Sequence, residues 1–129
     1  MFETTIRVIY GDTDQMGVVY YANYLRYFEA GRTELFRSRG STYLAMEQSG
    51  FGLPVVEAHC EYRVSAKFDD LVVVRTQVDE LRRASLRFGY TLLREADGAK
   101  LATGHTWHAC VDTNGKPVRL PEAVVRLLS

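Results

Sequence analysis

Tyr10-Gly11-Asp12-Thr13-Asp14-Gln15-Met16-Gly17-Val18-Val19-Tyr20-Tyr21-Ala22-Asn23-Tyr24 is the stretch on which the reading of this chain turns. On its N-terminal side the sequence alternates. Phe2, Thr4, Ile6, Val8 and Tyr10 fall on one face and Glu3, Thr5 and Arg7 on the other, which predicts a half-buried strand ended by Gly11. On its C-terminal side the period changes. Tyr24, Tyr27, Phe28, Gly31 and Leu35 recur at three- and four-residue steps, while Arg26, Glu29, Thr33 and Arg37 take the opposite face. This predicts a long helix with Asn23 as N-cap and Gly40 as its stop. Gly31 on the apolar face implies close approach to another backbone, such as a sheet wrapped around the helix. The stretch is therefore a strand-to-helix junction holding two carboxylates. Helix starts offer unpaired N–H groups, and a carboxylate beside them can serve as base or nucleophile.

Downstream, a weaker helical piece spans about 41–48, and Ser49 to Pro54 reads as a glycine-rich loop. Alternation then returns. Val56, Ala58, Cys60, Tyr62 and Val64 share one face, and Glu57, His59, Glu61 and Arg63 share the other. The turn Phe68-Asp69-Asp70 leads to a strand over about 71–82 with Val72, Val74, Thr76 and Val78 on one face. A further strand over 85–95 carries Leu86, Phe88, Tyr90 and Leu92. Asp97-Gly98 marks a hairpin to a strand over about 100–111. Thr113 to Pro117 is another turn, and Pro121 suits the first turn of a short C-terminal helix. No repeat, low-complexity segment or linker appears, so residues 1–129 are expected to form one α+β domain.

Composition narrows the function classes. Formal net charge is zero, so no overall field favours nucleic acid or an anionic membrane. No apolar run approaches a membrane span, and no N-terminal segment has the order of a signal peptide. Cys60 and Cys110 sit in strand-like stretches without disulfide or metal spacing, which suggests two small buried hydrophobes and, by default, a cytoplasmic location. His105 and His108 point to opposite faces of one strand, and His59 lies on another, so no metal site is expected. Met16 and Met46 read as core or pocket wall.

The junction resembles the signature of the hotdog-fold acyl-CoA thioesterases, in the branch holding 4-hydroxybenzoyl-CoA thioesterase and the thioesterases associated with the Tol-Pal gene cluster. Supporting matches are Gly52-Leu53-Pro54-Val55-Val56, Phe68-Asp69-Asp70 and Glu80-Leu81-Arg82-Arg83-Ala84-Ser85. The resemblance implies a hotdog fold, with a five-stranded antiparallel sheet wrapped around a long central helix. It implies an acyl-CoA thioester hydrolase that needs no cofactor. Asp14 is the implied catalytic carboxylate, either attacking the thioester carbonyl or activating a water. The Tyr21 backbone N–H is the implied donor to the carbonyl oxygen.

Tyr10 matches a tyrosine that flanks the acid in related enzymes, and Gly17 belongs to the same substrate-binding stretch. Tyr24, Tyr27, Phe28 and Phe51 are candidates for the acyl pocket, and Arg82 and Arg83 for the coenzyme A phosphates. The Tol-Pal-type members usually carry histidine where this chain has Tyr21. A tyrosine is a poorer proton carrier near neutral pH, so Tyr21 is assigned to positioning and oxyanion binding. Ser65 stands where related chains often have proline. A homodimer, with tetramers common, is also implied. The alternatives are a hotdog hydratase or dehydratase, which would use a histidine the junction lacks, and a non-catalytic acyl-CoA or acyl-carrier-protein binding module. With no histidine in a recognisable nucleophile setting, Ser85 is not read as a nucleophile. Asp12 is read as a turn residue.

Overall fold

A computed structural model describes residues 1–129, and its elements follow the periods of the sequence closely. The first strand, β1, spans Phe2–Arg7, and a single 3-10 turn covers Tyr10–Asp12. The long helix α1 spans Asn23–Ser38 and the short α2 spans Tyr43–Gln48. Then come β2 (Phe51–Gly52), β3 (Val55–Tyr62), β4 (Leu71–Leu81), β5 (Ser85–Arg94), β6 (Lys100–Ala109) and β7 (Val111–Asp112), and α3 (Glu122–Leu128) closes the chain. Five strands form one antiparallel sheet in the order β1-β4-β5-β6-β3. No helix is long and apolar enough to cross a membrane.

The sheet wraps α1, whose buried residues are Tyr24, Tyr27, Phe28, Gly31, Leu35 and Phe36. Phe28 stacks on Tyr90 of β5 with ring centroids 4.3 Å apart, and Phe36 meets Phe88 edge-on at 6.0 Å. Gly31 is required here. A Cβ at that position would lie 2.5 Å from Thr76 Oγ1 and 2.6 Å from Val74 Cγ1 on β4. The helix rests on the sheet at the distance only glycine permits. Beneath it Val72, Val74, Leu86, Phe88, Leu92 and Leu101 complete the core with no more than 1% of their surface exposed.

The ends of α1 differ from the sequence expectation at one side only. At the C-terminus, Gly40 N–H donates to Arg37 O and Ser41 N–H to Phe36 O, with Gly40 at φ +85°, which is the Schellman arrangement. At the N-terminus, Asn23 is not the cap. Ala22 is the flanking residue and Asn23 is the first helical one, its side-chain amide donating instead to the Asp12 carbonyl at 2.9 Å. A tertiary acceptor has taken the side chain that local capping would have used.

Three further differences have physical causes. Tyr10 leaves the face it would share with Val8, because the chain turns there. It is 77% exposed and packs edge-on against Phe68 at 5.5 Å. Phe51-Gly52, within the expected loop, pairs with Val111-Asp112 as a two-stranded sheet. The strand expected from Val56 to Val64 ends at Tyr62, and with only β6 as neighbour it forms a sheet edge, exposed at every residue but Cys60. A bulge lies between Val55 and Glu57.

Candidate active site

The junction folds as a tight loop laid against the start of α1. Asp14 N–H donates to Val18 O at 2.9 Å and Gly17 N–H returns to Asp14 O at 3.0 Å, with Gly17 at φ +80°. Asp14 Oδ1 accepts Met16 N–H at 2.9 Å, which fixes the carboxylate by a bond to its own loop. Thr13 and Val19 close the loop as an isolated antiparallel bridge. Val19 N–H is anchored on Ala66 O at 2.8 Å and Tyr20 N–H on Asp12 O at 2.9 Å. The Tyr21 N–H that follows has no acceptor within the chain.

A cavity of about 260 Å³ opens beside this loop, and Asp14, Tyr21 and Tyr24 line it together with Val18, Tyr62 and Ser65. The fold thus brings three of the sequence-derived residues into one concave site, mostly apolar with a single carboxylate. Gly17 shapes the loop without lining the cavity, and Tyr10 lies outside it against Phe68. Tyr27 and Phe28 point into the core, at 4% and 0% exposure. Phe51 lines a separate hollow with Met46, Val124 and Leu127. Met16 is 85% exposed at the cavity mouth.

Asp12 is more than a turn residue, and here the structure corrects the sequence reading. It is 5% exposed. Its Oδ2 accepts the Tyr27 hydroxyl at 2.8 Å and its Oδ1 pairs with Arg26 at 3.0 Å. Burial, with the Asp12 carboxylate next in effect, raises the Tyr27 hydroxyl pKa well above the usual tyrosine range. With its carbonyl holding both Tyr20 N–H and Asn23, Asp12 ties the loop to the first turn of α1.

The Phe68-Asp69-Asp70 turn proves to be a bracket for the cavity wall. Asp70 accepts Lys67 N–H at 2.9 Å and pairs with Arg94 at 3.1 Å, and Arg94 also donates to Ser65 O at 2.8 Å. Asp69 takes a left-handed conformation, φ 70°, and pairs with Arg7. Arg82 and Arg83 sit at the far end of the sheet. Arg82 lies 4.3 Å over the Trp107 ring and pairs with Glu80, whereas Arg83 forms no ion pair. Leu120 N–H donates to Arg83 O at 2.8 Å, which brings Arg119 to the same end.

The model of the thioesterase-like superfamily matches residues 8–128. The chain belongs to that superfamily. This thioesterase-like chain is 39% identical over 125 residues to the acyl-CoA thioesterase YbgC of Haemophilus influenzae, covering 95% of this chain and 90% of the relative. A solved structure of a hypothetical protein from Aquifex aeolicus superposes with a TM-score of 0.95 at 35% identity, covering all of both chains. A 4-hydroxybenzoyl-CoA thioesterase variant, solved in complex with 4-hydroxybenzoyl-CoA, superposes with a TM-score of 0.89 over 99% of this chain and 98% of its own. At 22% identity that likeness shows the hotdog-type fold alone. The α+β architecture, a five-stranded antiparallel sheet around the long α1, is the one the junction's resemblance implied.

Sequence reasoning did not single out Tyr62, which lines the cavity, and it saw only local chemistry in Asp12, which ties the loop to α1. Tyr62 reads as one more apolar residue in an alternating strand. Asp12 reads as local turn chemistry, and its partners lie on a helix whose docking no pattern reports.

Proposed function

We propose that this chain hydrolyses acyl-CoA thioesters to the free acid and coenzyme A, with Asp14 as the catalytic carboxylate and the Tyr21 N–H as oxyanion donor. The observation that carries the reading is a carboxylate held by its loop in a cavity that is also lined by Tyr21, whose N–H has no acceptor. In one route Asp14 attacks the carbonyl carbon, coenzyme A leaves as thiolate, and water cleaves the resulting anhydride. In the other, Asp14 takes a proton from the attacking water. Both build negative charge on the carbonyl oxygen, which a fixed N–H stabilises. Losing such a donor raises the barrier by about 3–4 kcal/mol. The relative from Haemophilus influenzae, named an acyl-CoA thioesterase, supports the substrate class.

Coenzyme A phosphates are assigned to Arg83 with Arg82. Arg83 is the better placed of the two, because Arg82 is already engaged by Trp107 and Glu80. A homodimer formed along the β3 edge belongs to the same proposal. That edge is exposed and carries apolar residues, with Val55, Val56 and Tyr62 each more than 40% exposed. A second copy would enclose the open side of the cavity and supply walls that Phe28 and Phe51 do not supply within one chain. The two unpaired cysteines, Cys60 and Cys110, fit a reducing cytoplasmic setting.

The test is thiol release across aliphatic, hydroxylated and aromatic acyl-CoAs, repeated with Asp14→Asn. Turnover is expected to disappear while binding persists. Parental turnover by the Asn variant would remove Asp14 from the chemistry. Tight binding of a thioester without cleavage by the parent would favour a binding module. Hydration of an enoyl thioester instead would favour the hydratase.

A further inference from the structure

The oxyanion donor of this site is held from a strand distant in sequence. Tyr62, the last residue of β3, reaches across to the junction, and its hydroxyl donates to the Tyr21 carbonyl at 3.0 Å. Its ring meets those of Tyr21 and Tyr24 edge-on, at 6.2 and 5.1 Å. Tyr24 is itself fixed by the Ala66 N–H, which donates to its hydroxyl oxygen at 3.0 Å. The Tyr20 carbonyl accepts Asn23 N–H at 2.8 Å, and the Tyr21 carbonyl also accepts Tyr24 N–H at 3.2 Å.

These bonds have one geometric consequence. Two peptide planes meet at the Tyr21 Cα, one carrying its N–H and the other its carbonyl. The first is pinned through Tyr20 O, and the second through Tyr21 O. Of the bonds on Tyr21 O, the helical one is long and of the tight 3-10 type, with Leu25 N–H bonding Ala22 rather than Tyr21. Tyr62 supplies the remaining, shorter bond from outside the helix.

We propose that Tyr62 is a positioning residue for the reaction, aiming the Tyr21 N–H by clamping the Tyr21 carbonyl. The inference rests on the reading of Asp14 and Tyr21 given above. A donor stabilises the developing oxyanion fully only if it is already aimed when charge appears. A misplacement of about 1 Å can cost roughly 100-fold in rate, because orientation is lost before binding is. The Tyr62 ring lines the cavity, but its hydroxyl bonds the Tyr21 carbonyl, so removing the hydroxyl alone should act on kcat and leave the affinity for coenzyme A alone.

Tyr62→Phe removes the hydroxyl and keeps the ring. It is expected to lower kcat about tenfold, less than the ~100–1,000-fold that removal of a direct donor causes, with KM unchanged. Tyr62→4-aminophenylalanine, which keeps an N–H donor where the hydroxyl stands, should fall between the parent and Phe, and it serves in place of Phe if that variant melts below the assay temperature. An independent reading uses an acyl-CoA ketone analogue, with CH2 in place of the thioester sulfur and a 13C-labelled carbonyl. Bound to Asp14→Asn, its carbonyl carbon should shift downfield relative to the free analogue. Adding Tyr62→Phe should reduce that shift.

Parental kcat and an unreduced shift in the Phe variant would overturn the proposal. A rise in KM equal to the fall in kcat would do the same, because it would mark a binding contact. A fall in thermal stability without any kcat change would leave Tyr62 as a structural tether only and also overturn it. Failure of the underlying reading looks different, since Asp14→Asn would then turn over thioester at the parental rate whatever occupies position 62.

Discussion

Tyr27→Phe deletes a single oxygen from a core residue, and the structure predicts an outsized cost. The Tyr27 hydroxyl is the donor to Asp12 Oδ2 at 2.8 Å, and Asp12 is 5% exposed. A hydrogen bond to a charged acceptor contributes about 1.5–3 kcal/mol net, more than a neutral one. No cavity term adds to it, because the ring stays. Tyr27→Phe is therefore expected to destabilise by about 2 kcal/mol. Asp12→Ala leaves the Tyr27 hydroxyl buried without a partner, at about 1–3 kcal/mol. Its pair with Arg26 adds less than about 1 kcal/mol, since the Arg26 side chain is 63% exposed.

In the double variant neither group is left orphaned, so the losses should fall short of their sum by about 1.5 kcal/mol. Urea unfolding at fixed protein concentration measures all three. Additivity within about 0.5 kcal/mol would refute the coupling. Activity gives a second reading from the same variants. Tyr20 N–H and the Asn23 amide bond the Asp12 backbone carbonyl, which Asp12→Ala keeps, so both single variants should retain most of the parental kcat.

Gly31→Ala should destabilise by on the order of 1 kcal/mol. Overpacking against Thr76 and Val74, at about 1–3 kcal/mol, exceeds the roughly 1 kcal/mol gain in helix propensity. A lowered urea midpoint with unchanged slope checks it, and a gain in stability would show that α1 can lift from the sheet. His108 gives a pH dependence. Its Nδ1 faces Leu53 O at 2.9 Å and must carry the proton, so Nε2 accepts from Thr106 at 2.8 Å. Burial depresses its pKa to about 4. The unfolded state thus binds the proton first, and stability should fall by up to about 1.4 kcal/mol per pH unit as pH drops from roughly 6.5 to 4. His108→Gln should flatten this slope, and an equally steep slope in that variant would exclude His108. For Arg83→Ala, KM should rise more for coenzyme A esters than for pantetheine esters, with a smaller effect from Arg82→Ala. Equal changes for both ester types would remove the phosphate assignment.

Much of the fold was legible because local periods report which face of an element is buried. The apolar stripe from Tyr24 to Leu35, the alternations in β1, β4 and β5, and the stop at Gly40 appear where patterning places them. The nearness of Asp14 to Tyr21, just before the start of α1, was legible for a related reason. Both lie in one continuous segment, so sequence proximity sets their proximity in space. Phe51-Gly52 was not, because a two-residue strand has no period to read and owes its form to Val111-Asp112.

By itself the sequence determined the strand-to-helix junction, the long helix with glycine on its buried face, and the two carboxylates that the junction carries. Beyond the β5-β6 hairpin that Asp97-Gly98 marks, tertiary structure alone decided which strands are neighbours, since alternation names a buried face but never a partner. It placed β3 at the sheet edge next to β6, and so brought Tyr62 to Tyr21 across the cavity. It also turned Asp12 from a turn residue into the buried acceptor of Tyr27. Both are bonds between distant residues. A backbone carbonyl or a turn carboxylate carries no sequence mark of the donor that will reach it.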